Sequence, residues 1–145
     1  MGPDEVRQQV LGDHQELRGM LRDVEEMVDR FQEGDAGGAR SLRERGLGLY
    51  ERLAAHLELE DSVLAPALRA SGAAGERAAE RLAHEHREQR ELLKYLLERL
   101  REQTRPTVLV ARELRSFIDY VRMDMEHEES TLLSEELLGQ REASG

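Results

Sequence analysis

Two pairs of side chains with metal-ligand chemistry share a helical spacing in this 145-residue chain: His56 with Glu60, and Asp124 with Glu128. Residues four apart lie on one face of a helix, so each pair can present two donors to a common point. His14 and His86, each preceded by an acid in Asp13-His14 and Glu85-His86, add two more imidazoles. Imidazole nitrogens mixed with carboxylate oxygens are the donor set of iron and manganese. One such spacing carries little weight alone. Acids fill 31 of the 145 positions, so a histidine meets an acid four residues on by chance roughly one time in five.

Bringing those donors together requires helices, and the apolar pattern predicts four. Val6, Val10, Leu17, Leu21, Val24 and Val28 mark a first helix over about 3–33, opened by Pro3 with Asp4 and Glu5 against the helix dipole. Gly34-Asp35-Ala36-Gly37-Gly38 breaks it. Leu42, Leu49, Leu53, Val63 and Leu64 mark a second helix over about 39–70, in which Pro66 predicts a kink or a frayed last turn. Ser71-Gly72-Ala73-Ala74-Gly75 is the second break. Leu82, Leu93, Leu96, Leu97 and Leu100 mark a third helix over about 76–103, stopped by Thr104-Arg105-Pro106. Leu114, Phe117, Val121 and Leu132 mark a fourth over about 107–138. Long helices on short connections predict one all-α domain over 1–145, an up-down-up-down four-helix bundle.

The two halves of the chain repeat each other. An offset of 72 aligns the segment from Asp13 to Leu21 with that from Glu85 to Leu93, and an offset of 68 aligns Leu53 to Leu64 with Val121 to Leu132. His56 then matches Asp124, and Glu60 matches Glu128. In antiparallel helices all the donors reach one height, with His14 roughly 16 Å above the start of its helix. His14, His56, Glu60, His86, Asp124 and Glu128 would thus sit inside an apolar bundle, where an unpaired charge costs several kcal/mol. A metal offsets that cost. Three imidazoles and three carboxylates from four helices suit a pair of iron or manganese ions, with carboxylates bridging and positions open for oxygen-derived ligands.

The fourth helix leaves two arrangements open. In Met123 to Leu133, MDMEHEESTLL, Asp124 is the ligand and His127 flanks it, or the helix rotates or bulges to bring His127 inward. Rotation would carry Val121 and Leu132 out of the core, which favours Asp124.

The order Asp13-His14, then His56-x-x-x-Glu60-Asp61 with Leu64-x-Pro66, then Glu85-His86, then Glu128-Glu129-x-x-Leu132 resembles the hemerythrin-like, or HHE cation-binding, family over nearly the whole chain. The resemblance implies a four-helix bundle around a non-haem di-iron centre, oxo- or hydroxo-bridged, which in relatives binds dioxygen, senses oxygen or iron, or handles peroxide and nitric oxide. Carried over by position, it implies His14, His56, Glu60, His86 and Glu128 as ligands. Two positions depart. Asp124 stands where the family usually has histidine, and Arg90 where oxygen carriers have a second histidine on the third helix. Carboxylates favour the ferric state, so irreversible oxidation, peroxide turnover or redox sensing is expected over reversible dioxygen carriage.

Other features restrict the partners. A net charge of -10 repels phosphate backbones, so nucleic acid is not expected. The absence of cysteine excludes thiolate chemistry and disulfides. No apolar run approaches the roughly 20 residues of a membrane span, and Met-Gly-Pro-Asp-Glu lacks the features of a signal peptide, so a cytoplasmic protein is expected. Neither a nucleophile beside a base nor a phosphate loop is present, and dioxygen or peroxide is the expected small ligand. The competing class is a metal-free helical interaction module. His84 is expected to point outward; Arg18 and Arg90, each four residues after a histidine, could pair with carboxylates near the site, but exposed salt bridges with neighbouring acids are favoured. Tyr120 and Gln89 read equally as neighbours of the site and as ordinary packing.

Overall fold

A computed structural model describes residues 1–32, 38–102, 107–134 and 137–138. Helix α1 spans Pro3–Gln32 and α2 spans Gly38–Leu59; a π-helical segment, Glu60–Leu64, joins α2 to the short α3, Ala65–Arg69. Helix α4 spans Gly72–Arg101 and α5 spans Thr107–Ser130. α1 packs against α2 and α5, and α4 packs against α2, α3 and α5. The result is an all-α four-helix bundle, with no strand among the described residues. The breaks expected at 34–37 and 104–106, and the helix ends at Glu33 and Gln103, lie outside the described residues. No described helix is long and apolar enough to cross a membrane.

Three boundaries differ from the sequence expectation, each for a physical reason. The kink expected at Pro66 is a change of helical register that begins at Glu60. The amide of Ala65 bonds back to the carbonyl of Glu60, five residues earlier. Proline at 66 has no amide to give to Ser62 and its ring would clash with that carbonyl, which favours the wider turn. Helix α4 begins at Gly72, four residues before the expected start, with Gly72 itself at φ 89°. Gly75 is a contact residue here, not a break: a Cβ on it would lie 2.0 Å from the carbonyl oxygen of Leu68 on α3. Helix α5 stops at Ser130 instead of 138. Beyond it the hydroxyls of Ser130 and Thr131 take the carbonyl of His127, while Arg7 of α1 donates to the carbonyls of Leu133 and Leu138. Such side-chain bonds compete with the helical ladder.

The core is in two parts. Leu17, Leu21, Leu49, Leu53, Leu57, Leu93, Leu114 and Met125 belong to the larger apolar cluster, and Val6, Val10, Leu64, Leu68, Leu82 and Leu132 to the smaller. On every long arm a buried polar residue lies between the two sets: His14 between Val10 and Leu17, Glu60 between Leu57 and Leu64, His86 between Leu82 and Leu93, and Glu128 between Met125 and Leu132. The polar layer therefore lies across the bundle, and its members reach it because the apolar stripes on either side turn that face inward.

Candidate metal centre

His14, Glu60 and His86 are fully buried, and His56 and Glu128 nearly so. Glu60 opens the π-helical segment. The same backbone motif recurs one repeat later, where the amide of Leu133 bonds back to the carbonyl of Glu128 at 2.9 Å. In both arms the inward-facing glutamate sits where the helix widens.

Each imidazole is held from behind by a carboxylate on another arm. His14 Nδ1 lies 2.7 Å from Glu129 Oε2, His56 Nδ1 2.5 Å from Asp13 Oδ2, and His86 Nδ1 2.6 Å from Asp61 Oδ1. An ionised carboxylate can only accept, so each Nδ1 carries the proton and each Nε2 faces inward as the potential ligand. The acids are themselves anchored. Arg18 donates both terminal nitrogens to Glu129, at 2.8 and 2.9 Å, Arg52 bonds Asp13, and Arg90 bonds Asp61. Two of these pairs hold their acid ionised: burial raises Asp13 and Glu129, but His56 with Arg52, and Arg18 with His14, outweigh it and lower both.

Inside this ring the ligand atoms converge. His56 Nε2 is 3.0 Å and His86 Nε2 3.3 Å from Glu60 Oε1; His14 Nε2 is 3.2 Å from Glu128 Oε2 and 3.8 Å from Glu60 Oε2. His14 Nε2, His86 Nε2 and all four carboxylate oxygens of Glu60 and Glu128 have no aligned hydrogen-bond partner. Burial and the adjacent Glu60 hold the Glu128 carboxyl well above its ordinary range. Burial acts on Glu60 in the same sense, but the Glu128 proton and the three histidines outweigh it and keep Glu60 ionised. His56 is pushed up to about 9, burial being overcome by Asp13 and Glu60. Protons thus occupy a site whose donors, buried and unpartnered, fit a cation of the imidazole and carboxylate class.

Four of the six residues expected from sequence form the tightest group: His14, His56, Glu60 and Glu128 each offer one ligand atom within 4.8 Å of the others. His86 adjoins them through Glu60. Asp124 is half-buried beside the group, with its carboxylate accepting from Gln89 Nε2 at 2.8 Å. His127 faces outward on α5, as His84 does on α4, where it meets Glu88 at 3.1 Å. Arg18 and Arg90 do pair with acids, Arg90 in an exposed pair and Arg18 in a part-buried one, and those acids are the ones that orient His14 and His86. Sequence reasoning passed over Asp13, Asp61 and Glu129 as orienting residues. The repeat carried the signal, since Asp61 and Glu129 follow Glu60 and Glu128 at equivalent positions.

Among known families, the hemerythrin HHE cation binding domain matches residues 6–135. No curated protein and no solved structure matches the chain. The matched span covers every residue of the buried layer and of the carboxylate ring around it. The chain therefore belongs to the hemerythrin HHE cation-binding domain family, and its buried histidine and glutamate cluster is a metal-binding one.

Proposed function

We propose that this chain binds two iron ions, with manganese as the substitute, and acts in oxygen, peroxide or iron-linked redox chemistry or sensing. The observation that carries the reading is the convergence of three carboxylate-oriented imidazoles on two buried carboxylates whose oxygens lack aligned partners. In this reading His14, His56, Glu60 and Glu128 form the compact part of the ligand set, His86 extends it through Glu60, and Asp124 is the sixth group. Bound iron would supply one-electron chemistry and Lewis acidity.

The chain's own residues prepare the site. Asp13, Asp61 and Glu129 select the imidazole tautomer that aims Nε2 inward and raise its basicity. The apolar clusters above and below exclude water from the layer. The protons on Glu128 and His56 leave as the cations arrive, so binding strengthens with pH. A donor set this rich in carboxylate favours the ferric state, which argues for oxidation or sensing over reversible carriage.

The test is metal analysis of protein purified without chelator, with its absorption spectrum. Two irons per chain and near-ultraviolet charge-transfer bands are expected; no metal, and no spectral change on adding ferrous iron, would sink the proposal in favour of a metal-free helical module. Air exposure of the ferrous protein should give a ferric product that persists when oxygen is removed. Spectra that cycle with oxygen pressure would restore the carrier role.

A further inference from the structure

The internal repeat is kept around two of the imidazoles and abandoned in one quadrant. His14, held by Glu129 and Arg18, has its counterpart in His86, held by Asp61 and Arg90. The third imidazole has no such counterpart. His56, Asp13 and Arg52 correspond by the same offsets to Asp124, Glu85 and Tyr120, and the buried Leu17 corresponds to Gln89. Between α1 and α2 the guanidinium of Arg52 binds Asp13 behind the imidazole. Between α4 and α5 a tyrosine stands in that place, and the amide of Gln89 holds the carboxylate that replaces the imidazole.

The substituted residues line open space. His56, Gln89, Phe117, Tyr120, Asp124 and Met125 border a cavity of about 10 Å³, room for one water-sized molecule. Phe117 and Tyr120 also border a surface groove of about 330 Å³, whose other walls include Leu92, Tyr95 and Leu96. These two aromatic side chains therefore border both an outward-facing, mainly apolar groove and the cavity that His56 and Asp124 line. The walls are apolar on the outer side. The polar groups that line the cavity are an imidazole, an amide, a phenol and a carboxylate, those of His56, Gln89, Tyr120 and Asp124.

We propose that the α4/α5 quadrant is the route by which a small uncharged hydrogen-bonding molecule, with the chemistry of hydrogen peroxide, reaches the cluster. The proposal rests on the metal-centre reading for its purpose but not for its geometry. The Asp124 carboxylate lines this nearly closed space and disfavours anions, whereas a neutral peroxide both donates to the carboxylate and accepts from the Gln89 amide. Phe117 and Tyr120 are the residues that the groove and the cavity share.

Met125 is a built-in reporter: it lines the cavity and is 1% exposed, whereas Met123, two residues away, is 70% exposed. Hydrogen peroxide transfers one oxygen to a thioether and leaves as water, giving the sulfoxide. The full chain is stripped of metal, so that no iron-driven oxidation competes, treated with hydrogen peroxide, and mapped by mass spectrometry. Met125 should be oxidised while the fold is intact, and the bulkier tert-butyl hydroperoxide should oxidise Met123 but spare Met125. Tyr120→Trp at the mouth should slow oxidation of Met125 about tenfold, a barrier raised by ~1.4 kcal/mol, and leave Met123 unchanged. Phe117→Trp should act alike; should that core variant fail to fold, Tyr120→Trp decides. Oxidation of Met125 only at the rate of global unfolding, equal reaction with both peroxides, or indifference to Tyr120→Trp would each overturn the route. None of these results bears on whether iron binds.

Discussion

Raising the pH of the metal-free chain through the range in which His56 loses its proton should weaken the fold by several kcal/mol. In the folded chain this imidazole keeps its proton to about 9 against an ordinary 6.5: burial opposes the charge, but the carboxylates of Asp13 and Glu60 overcome it. A difference of about 2.5 units, at roughly 1.4 kcal/mol each, is worth ~3 kcal/mol. The side chain is almost wholly buried, so solvent screening takes little from that figure. Below 6.5 both folded and unfolded chains hold the proton, and the contribution is complete. Between 6.5 and about 9 the folded chain binds more protons than the unfolded, and stability falls as pH rises. His86, also raised because Glu60 and Asp61 outweigh its burial, adds in the same direction.

Urea denaturation followed by circular dichroism reads this directly. With a slope of about 1–3 kcal/mol/M, the midpoint should drop by on the order of 1–3 M across the interval. Asp13→Asn should lower the neutral-pH midpoint and flatten the dependence, since it removes one of the charges that hold the proton. Iron should reverse the trend, because a cation in place of the protons binds more tightly as pH rises. A midpoint that stays level or climbs between 6.5 and 9 would show that the Asp13, His56 and Glu60 charges are not coupled as the geometry requires.

Asp61→Asn and Glu129→Gln should each weaken metal binding about 10–100-fold in competition with a chelator while helicity is unchanged, because each leaves an imidazole without its ionised acceptor. Asp124→Ala should lose bound iron and the outward-facing His127→Ala should retain it, as counted by metal analysis; the opposite result would reassign the sixth group. Gly75→Ala should cost about 1–3 kcal/mol in thermal or urea unfolding, since its Cβ meets backbone of α3. Gly12→Ala, in α1 with open space around it, should stabilise by about 0.5–1 kcal/mol.

The four arms and the height of the polar layer were legible because both are periodic properties. Leu17, Leu53, Leu93 and Val121 recur at helical spacing, and a residue four positions from another lies on its face wherever the helix sits. The register change at Glu60 was half legible. Pro66 announced a disturbance, but the extra residue is absorbed upstream of it, where Glu60 and Leu64 are both buried. The stop of α5 at Ser130 was not seen, since hydroxyl groups of Ser130 and Thr131 are indifferent to helix in sequence and act only by the carbonyls they reach.

The sequence by itself determined a helical bundle, its internal repeat, and the polar residues His14, His56, Glu60, His86 and Glu128 that the repeat brings to one buried level. Tertiary structure alone decided which acid stands behind which imidazole. Asp13 orients His56, Glu129 orients His14 and Asp61 orients His86, each across an interhelical boundary, while Arg18 and Arg90 bind those acids instead of the nearest ones in sequence. It also decided that Asp124 turns to Gln89 beside a cavity instead of joining the tightest group. Periodicity tells which residues share a face of their own helix, whereas the partner across the gap depends on how packing rotates each helix against its neighbours.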